Sequence, residues 1–311
     1  MKLAVIDLGT NSVRFDVHEI LSPTERNVIY REKKMVRLGD GAFKNGRLGP
    51  TPISRTLRAF KRFHRIIRQL EVDRVLAYAT SAMRDSSNAK FVINQIKKLT
   101  AIEIKIISGK KEAQYTAKAV IKNEKISSNL FCLIDIGGGS TEVVMGYKNN
   151  IIKNYSFQLG ANRLHQLFLK SSPPIGIKGS MDSVNQLRSH IIHVLKRGIP
   201  DHKIPKVSQF IGSSGTIRAF RRLLKKRDEK IEPFNREALT HLIEEMIPLK
   251  KMKLLKIPGM TEKRVDLILA GGILLEELMK YLGALSIYTT DYCLRDGILE
   301  NELEKFKLTD Q

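Results

Sequence analysis

The sequence predicts an α/β protein of two similar halves with a cleft between them. Short apolar strands alternate with helices along the 311 residues, a pattern typical of such folds. One strand–turn–strand motif occurs twice: residues 3–6 lead into Asp7, and residues 133–134 lead into Asp135. The two aspartates lie 128 residues apart, about one domain length. The repeat therefore indicates a duplicated domain, the alternative being chance similarity of two short turns.

In the first half, the turn after Asp7 joins two strands. Residues 3–6 form an apolar run, as in a buried strand, and residues 13–17 alternate apolar and polar side chains, as in a half-buried strand. Thr51 and Pro52 begin a helix, because threonine caps helices and proline fits their first turn. Similar patterns predict strands over 75–79 and 102–107 and helices over 89–99 and 111–121.

In the second half, the same patterns continue to the end of the sequence. They predict helices over 164–169, 181–197, 261–282 and 295–306, and strands over 207–211 and 286–289. Within 261–282, the small residues 270–272 indicate either close packing or a helix break. We therefore expect a first domain over 1–122 and a second over 123–297, with a C-terminal helix of about 298–311 packing back on the first.

The composition favours a folded protein with a polyanionic partner. Hydrophobic residues make up 42% of the chain, which excludes a disordered chain. Lys and Arg number 54 against 32 Asp and Glu, a net charge of +22, as expected for a protein that binds nucleic acid, an anionic membrane or a phosphate-rich substrate. The absence of Trp and the few Tyr and Phe disfavour base stacking and so a nucleic-acid partner.

Location and thiol chemistry follow from the apolar segments. No stretch approaches the ~20 apolar residues of a membrane span, and the N-terminal apolar run is too short for a signal peptide. We therefore expect a soluble, cytoplasmic protein with no membrane partner. Cys132 and Cys293 lie in apolar segments without metal or redox spacing, which predicts buried, reduced thiols.

Three turns have the composition of phosphate-binding loops. Small residues let backbone N–H groups converge on phosphate oxygens, and hydroxyl groups add donors. The carboxylates before the first two turns suit Mg²⁺, so we expect Asp7 and Asp135 to share one ion. For the third turn, an ordinary helix N-cap is the alternative. The predicted phosphate-binding residues are Gly9, Thr10, Asn11 and Ser12; Gly137, Gly138, Gly139 and Ser140; and Gly212, Ser213, Ser214 and Gly215.

Two helices carry unusual positive charge. One follows the third turn, and the other is the helix that begins at Thr51. We interpret both as surfaces that guide a polyanion, the alternative being a solvated face. Their basic residues are Arg218, Arg221, Arg222, Lys225, Lys226 and Arg227 on the former, and Arg55, Arg58, Arg62 and Arg65 on the latter.

Seven ordered blocks resemble the exopolyphosphatase/guanosine pentaphosphate phosphohydrolase (Ppx/GppA) family of the actin-like ATPase superfamily. The resemblance implies two actin-like (ribonuclease H-like) domains around a central cleft, in the short two-domain form of the family. It also implies Mg²⁺-dependent hydrolysis of terminal phosphoanhydride bonds. The blocks are residues 7–12, 36–39, 79–85, 107–113, 135–142, 212–219 and 291–297.

The resemblance also implies catalytic roles. Glu112 matches the family's general base, Arg84 its phosphate-contacting arginine, and Glu142 an acid that positions water or metal. Many relatives have a second glutamate where this chain has Lys111, a cation expected to lower the pKa of Glu112. The alternatives are that Arg84 only pairs with Asp85 at the surface, and that Glu112 is only an acid favoured by the helix dipole.

We expect the protein to release orthophosphate from inorganic polyphosphate. The alternatives are hydrolysis of pppGpp to ppGpp, a non-catalytic polyphosphate or alarmone sensor, and a nucleic-acid-binding protein. A charge of +22 suits a long polyanion better than a single nucleotide. The acids Asp7, Glu112, Asp135 and Glu142 disfavour the sensor, which has no need of a base. A homodimer is the expected assembly.

If Asp7 and Asp135 share one Mg²⁺, either Asp→Asn substitution raises the Mg²⁺ concentration that gives half-maximal phosphate release, and EDTA abolishes the activity. The effect of the double substitution on this Mg²⁺ requirement is smaller than the sum of the two single effects, because both carboxylates serve one ion. Magnesium titrations of the two single variants and the double variant measure this. Strictly additive losses would show that the two turns serve separate sites.

Overall fold

The computed structural model describes residues 1–22, 24–127, 130–169, 177–228 and 232–309, which form two compact units. The first unit comprises Met1–Ala119 and Leu294–Gln311, and the second comprises Val120–Cys293. The C-terminal segment therefore belongs to the first unit, and the chain passes from one unit to the other between Ala119 and Val120.

The units are built from strands and helices whose bounds are as follows. The strands are β1 (Lys2–Leu8), β2 (Val13–Ile20), β3 (Arg26–Lys34), β4 (Arg74–Ala79), β5 (Ile104–Ile106), β6 (Leu130–Ile136), β7 (Thr141–Tyr147), β8 (Asn150–Phe157), β9 (Gln209–Ser213), β10 (Phe234–Asn235) and β11 (Ser286–Thr289). The helices are α1 (Ala42–Asn45), α2 (Pro50–Gln69), α3 (Ser81–Arg84), α4 (Ala89–Thr100), α5 (Gly109–Asn123), α6 (Ala161–Phe168), α7 (Ile177–Gly198), α8 (Ser214–Lys225), α9 (Arg236–Met246), α10 (Lys251–Leu254), α11 (Glu262–Val265), α12 (Ile268–Leu282) and α13 (Leu294–Thr309), with a 3₁₀ turn at Asp201–Lys203.

The two sheets share one strand order. In the first unit the order is β3-β2-β1-β4-β5, with β1, β4 and β5 parallel and β1, β2 and β3 successively antiparallel. In the second unit the order β8-β7-β6-β9-β11 repeats it, and β10 adds an antiparallel edge strand. The predicted α/β duplication is therefore present in the topology as well as in the two turns.

Alternate residues of β1 face two separate apolar clusters, as the period of a strand requires. Ala4 and Ile6 pack in the cluster that contains the rings of α2. Leu3 and Val5 face the other side, where they contact a cluster formed with α5 and α13. Both faces of the first sheet are thus covered by helices, as expected for parallel strands.

Helix α13 is attached to the first sheet by buried carboxylates as well as by apolar contacts. Glu300 is fully buried and accepts a 2.5 Å hydrogen bond from Arg26 of β3, while Arg295 pairs with Asp16 of β2. At Gly297 the helix backbone approaches α5 so closely that a Cβ atom would lie 1.7 Å from the Tyr115 carbonyl oxygen. These contacts fix α13 across the first sheet.

The structure corrects the predicted helix over 261–282. The helical region is interrupted at residues 266–267, between α11 and α12. Gly271 and Gly272 lie inside α12 and allow close packing, because their Cβ atoms would lie 2.6 Å from Thr216 Cγ2 and 2.5 Å from Phe220 Cζ. The small residues therefore serve packing and do not break the helix.

Sequence patterns did not reveal β3, β8 or α9. Most side chains of the edge strand β3 are charged and exposed or half-buried, as edge strands often are, so its apolar alternation is weak. Cys132 and Cys293 are buried free thiols, as predicted, and burial raises the pKa of Cys132 to about 12. Among the described residues, no helix is long and apolar enough to cross a membrane.

Candidate active site

In the first unit, three parallel strands deliver the predicted site residues to one edge of the sheet. The first turn follows β1, the short helix α3 with Arg84 follows β4, and α5 with Glu112 follows β5. Backbone hydrogen bonds continue the register past the strand ends, from Thr80 to Leu8 and from Ile107 to Ala79. Carboxyl ends of parallel strands are where α/β sheets bind ligands.

Arg84 and Glu112 contact each other at this edge. Arg84 Nη1 lies 3.3 Å from Glu112 Oε2 and donates a 2.8 Å hydrogen bond to the Ile107 carbonyl oxygen. Both side chains keep some solvent access, 22% for Arg84 and 13% for Glu112. Asp85 is a weaker partner, since its carboxylate is 4.0 Å from Arg84 Nε. The pair thus places one carboxylate and one guanidinium within reach of a common ligand.

Lys111 contacts an aromatic ring of its own helix. Its ammonium lies 4.7 Å from the centroid of the Tyr115 ring, a cation–π geometry. Arg84 is a cation in direct contact with Glu112. The expectation that Lys111 lowers the pKa of Glu112 stays a prediction.

The carbonyl groups of the first turn are engaged by residues 37–39. The Arg37 N–H donates to the Asn11 carbonyl (2.8 Å), and the Gly39 N–H donates to the Thr10 carbonyl (2.8 Å). In a trans peptide the following N–H points opposite to the carbonyl, so the N–H groups of Asn11 and Ser12 point away from residues 37–39. Gly39 is required here, because a Cβ atom would lie 2.3 Å from Thr10 Cγ2.

The second turn is arranged in the same way by the start of α6. The carbonyl of Gly138 accepts hydrogen bonds from the N–H groups of Asn162 (2.8 Å) and Arg163 (3.0 Å). Arg163 Nε also donates to the carbonyl of Gly139 at 2.7 Å. The N–H groups of Gly139 and Ser140 therefore point away from α6. Both turns also close with the same hydrogen bond, Gly9 N–H to Ser12 O (3.1 Å) and Gly137 N–H to Ser140 O (2.9 Å).

These interactions identify residues that sequence reasoning missed. The first and second turns are positioned by residues to which the sequence assigned no role. These are Gly160, Arg163 and the backbone of residues 37–39. At Gly160, a Cβ atom would lie 2.5 Å from Gly139 N and 2.6 Å from the Gly138 carbonyl. The sequence signals were a glycine directly before each supporting segment or within it and, for residues 36–39, a block of the family resemblance to which no role was assigned.

The two predicted metal ligands have different surroundings. Burial raises the pKa of the Asp7 carboxyl, and the nearby Arg14 and Arg295 oppose this shift. Asp135 instead faces Glu142 across the antiparallel pair β6–β7, so the two carboxylates share one face of the sheet. Glu142 is buried and accepts a 2.8 Å hydrogen bond from Ser156 Oγ.

Such carboxylates fit Mg²⁺, which proteins usually bind through one or two carboxylates, with phosphate and water as the other ligands. The described part of the chain contains no cluster of three or more His, Cys, Asp or Glu side chains that could hold a metal. The carboxylates of each unit therefore fit an ion that is also held by a phosphate substrate. They do not fit a structural metal centre enclosed by protein ligands.

In the third turn, capping-type hydrogen bonds are made by Ser214, the first residue of α8, and not by the N-cap residue Ser213. Ser214 Oγ accepts hydrogen bonds from the N–H groups of Thr216 (3.1 Å) and Ile217 (3.3 Å), and Ser213 Oγ donates to the Tyr292 carbonyl (2.9 Å). Ser214 has φ +103°, which strains a residue with a side chain. Two amides at the start of α8 thus already have an acceptor, and phosphate binding by residues 212–215 stays a prediction.

Several arginines of α8 are engaged within the second unit. Arg218 Nη1 donates to the Thr290 carbonyl (2.9 Å), and Arg221 Nη1 donates to Thr289 Oγ1 (2.8 Å). Arg222 Nε donates to the Gly259 carbonyl (2.9 Å). These contacts hold neighbouring loops onto α8, so they favour a packing role for these arginines over guidance of a polyanion.

The structure defines a class of protein: a duplicated α/β fold in which each unit carries a strand–turn–strand motif whose carbonyl groups are engaged by a neighbouring segment. Comparison with known proteins gives the family. A model of the Ppx/GppA phosphatase family matches residues 19–306. The chain therefore belongs to the Ppx/GppA phosphatase family and is a hydrolase of phosphoanhydride bonds, as the sequence motifs predicted.

Individual relatives agree with this assignment. The chain is 31% identical over 295 residues to a bifunctional 3-dehydroquinate synthase/phosphatase of Fusobacterium nucleatum, covering 90% of the chain but only 43% of that relative. It is 27% identical to exopolyphosphatase 2 of Mycobacterium tuberculosis, covering 96% of the chain and 97% of the relative. The crystal structure of an exopolyphosphatase from Cytophaga hutchinsonii has a TM-score of 0.86 at 27% identity, covering 98% of each chain. The predicted fold class of two actin-like domains is thereby confirmed.

Gly160→Ala tests whether the approach of α6 to the second turn is required. The new methyl group would meet backbone atoms at 2.5–2.6 Å, and backbone cannot move aside cheaply, so we expect a loss of about 1–3 kcal/mol of stability together with weaker phosphate binding. Calorimetric unfolding with and without phosphate measures both effects. Gly49→Ala is the matched control, since its nearest contact would be 3.6 Å, to Pro52 Cδ. Equal melting temperatures for the two variants would contradict the prediction.

Proposed function

We propose that this protein is a Mg²⁺-dependent exopolyphosphatase, which removes the terminal phosphate of inorganic polyphosphate. One observation carries the proposal: at a single edge of the first sheet, the first turn follows β1, and the Arg84–Glu112 pair follows the neighbouring parallel strands β4 and β5. Relatives named as exopolyphosphatases that align over nearly the whole chain support it. A net charge of +22 suits a long polyanion.

The chemistry needed is attack of water on the terminal phosphorus atom. A bond forms between the water oxygen and phosphorus, the bridging P–O bond breaks, and the shortened chain leaves on its oxygen. Glu112 accepts the proton of the attacking water, a contribution of roughly 10²–10⁴-fold for general-base catalysis. Arg84 neutralises charge on the phosphoryl oxygens, which would otherwise repel the nucleophile.

The two turns bind phosphoryl oxygens through N–H groups that the fold orients in advance. Such donors need no reorganisation during the reaction, which makes them effective in stabilising a transition state. The carboxylates that suit Mg²⁺ are Asp7 in the first unit and the Asp135–Glu142 pair in the second. The ion would supply neutralisation of the phosphate charge.

A direct test compares phosphate release from long polyphosphate, tripolyphosphate, pppGpp and ATP, each with and without Mg²⁺. We expect long polyphosphate to give the highest kcat/KM, and release to stop without the metal. A preference for pppGpp would instead assign the 5′-phosphohydrolase activity. Binding of polyphosphate without release from any of the four would indicate a sensor.

Glu112→Gln tests the general base. The amide keeps the shape of the side chain but cannot accept the proton, so we expect kcat to fall at least ~100-fold while KM changes only a few-fold. Steady-state kinetics on long polyphosphate measures both constants.

Glu237→Gln is the matched control, because Glu237 is also an acid in the first turn of a helix, α9, but is exposed. If Glu112 only interacts with its helix dipole, the two substitutions change stability by similar small amounts and leave kcat unchanged. Full activity of the Glu112→Gln variant would remove Glu112 from the mechanism.

A further inference from the structure

A basic pocket lies in the first unit, between the end of β3 and one face of α2. Its volume is about 330 Å³, and its charged lining residues are Lys34, Arg55, Arg58 and Arg62. This volume is at the lower end of the range for small-ligand sites. Four cations on one concave surface repel one another, a repulsion that anionic side chains or an anionic ligand would offset.

Carboxylates of the protein offset only part of this charge. Glu32 is shared by Lys34 (2.8 Å) and Arg62 (3.0 Å), and Asp40 lies 3.3 Å from Arg55. Although burial acts in the opposite direction, hydrogen bonds from Lys34 and Arg62 leave the pKa of Glu32 below its usual value. Two carboxylates against four cations leave the pocket with a net positive charge of two.

Arg58 is the charged lining residue that has no polar partner among the described residues. Its side chain is exposed, and among the described residues it makes neither a hydrogen bond nor an ion pair. By contrast, Arg55 is fixed by a 2.8 Å hydrogen bond from Nε to the Val36 carbonyl. The pocket therefore combines a rigid guanidinium with one whose five donors remain available to a ligand.

The pocket adjoins the segment that supports the first turn. Val36 lines the pocket, and the next residue, Arg37, donates its N–H to the Asn11 carbonyl of that turn. The same short segment thus contacts both the pocket and the first turn. Because the N–H groups of that turn point away from this segment, a single ligand that occupies both must be a long chain that passes around the segment.

We propose that this pocket binds phosphoryl groups of a polyphosphate chain at a distance from the chain end that is hydrolysed. Guanidinium groups suit this ligand, because their planar donors bind phosphate oxygens in pairs. That the anion is the protein's own substrate rests on the proposed function, whereas binding of a phosphate-type anion by the pocket does not. Short substrates that end at the turn would not reach it.

Binding is tested first without catalysis. Inorganic tripolyphosphate is titrated into the ¹⁵N-labelled protein without Mg²⁺, while the arginine Nε–Hε resonances are followed by NMR. We expect the Arg58 resonance to shift with saturation, and the Arg65 resonance to stay in place. Absence of any shift at Arg58 overturns the proposal. This result is independent of hydrolysis, so it holds even if the protein releases phosphate from none of the substrates.

Kinetics then test the role in chain binding. Arg58→Gln removes no contact within the protein, so it should fold normally. We expect it to raise KM for long polyphosphate roughly tenfold, the loss of about one charge-assisted hydrogen bond. KM for tripolyphosphate and kcat for both substrates should stay unchanged.

Arg65→Gln is the matched control, because Arg65 is exposed on the same helix, does not line the pocket, and makes no hydrogen bond or ion pair with the described residues. An equal rise in KM for both variants would show a diffuse electrostatic effect and overturn the proposal that the pocket binds the chain. An Arg58 resonance shift with no change in KM for long polyphosphate would show a site for free anions and overturn the chain-binding role.

Discussion

The direction of a few peptide groups decides what the two repeated turns can bind. A glycine-rich turn presents as many carbonyl oxygens as N–H groups, and the carbonyls would repel phosphate. In both units, a separate backbone segment donates hydrogen bonds to those carbonyls, from residues 37–39 in one and from the start of α6 in the other. The N–H groups are thereby turned to the opposite side. The phosphate binding proposed for these turns thus depends on hydrogen bonds made on the face of the turn away from the ligand.

This arrangement explains the positions of two glycines. Gly39 and Gly160 lie where the supporting segments touch the turns, and a methyl group on either would contact atoms of the turn at 2.3–2.6 Å. At neither position is glycine needed for a left-handed backbone, since no positive φ is recorded for either. Both units therefore need a residue without a side chain where a supporting segment touches the turn, although the supporting segments differ.

Charged side chains hold elements of both units in place. The first sheet is closed by α13, whose Glu300 is buried against Arg26, and such a pair holds position because loss of one partner would leave a buried charge uncompensated. In the second unit, arginines of α8 fasten the loops around Thr289 and Gly259. These arginines thus serve packing, whereas the four cations of the pocket beside α2 pair with only two carboxylates of the described residues.

The sequence by itself determined the local chemistry of this protein. Strand, aspartate and glycine-rich turn are adjacent in the chain, so Asp7, Asp135 and the turns after them could be predicted from composition and spacing. The Arg84 and Glu112 assignments came from the family resemblance, and their contact became visible only once parallel strands had placed both at one sheet edge.

Tertiary structure alone decided the remaining features. The edge strand β3 was missed because charged side chains hide its alternation, and Glu300 would be placed on a solvent face by any local pattern, although it is fully buried. The hydrogen bonds that orient the turns join residues such as Thr10 and Gly39, or Gly138 and Asn162, which are distant in sequence. Such contacts depend on how closely two segments approach after folding, a distance that neither segment encodes on its own.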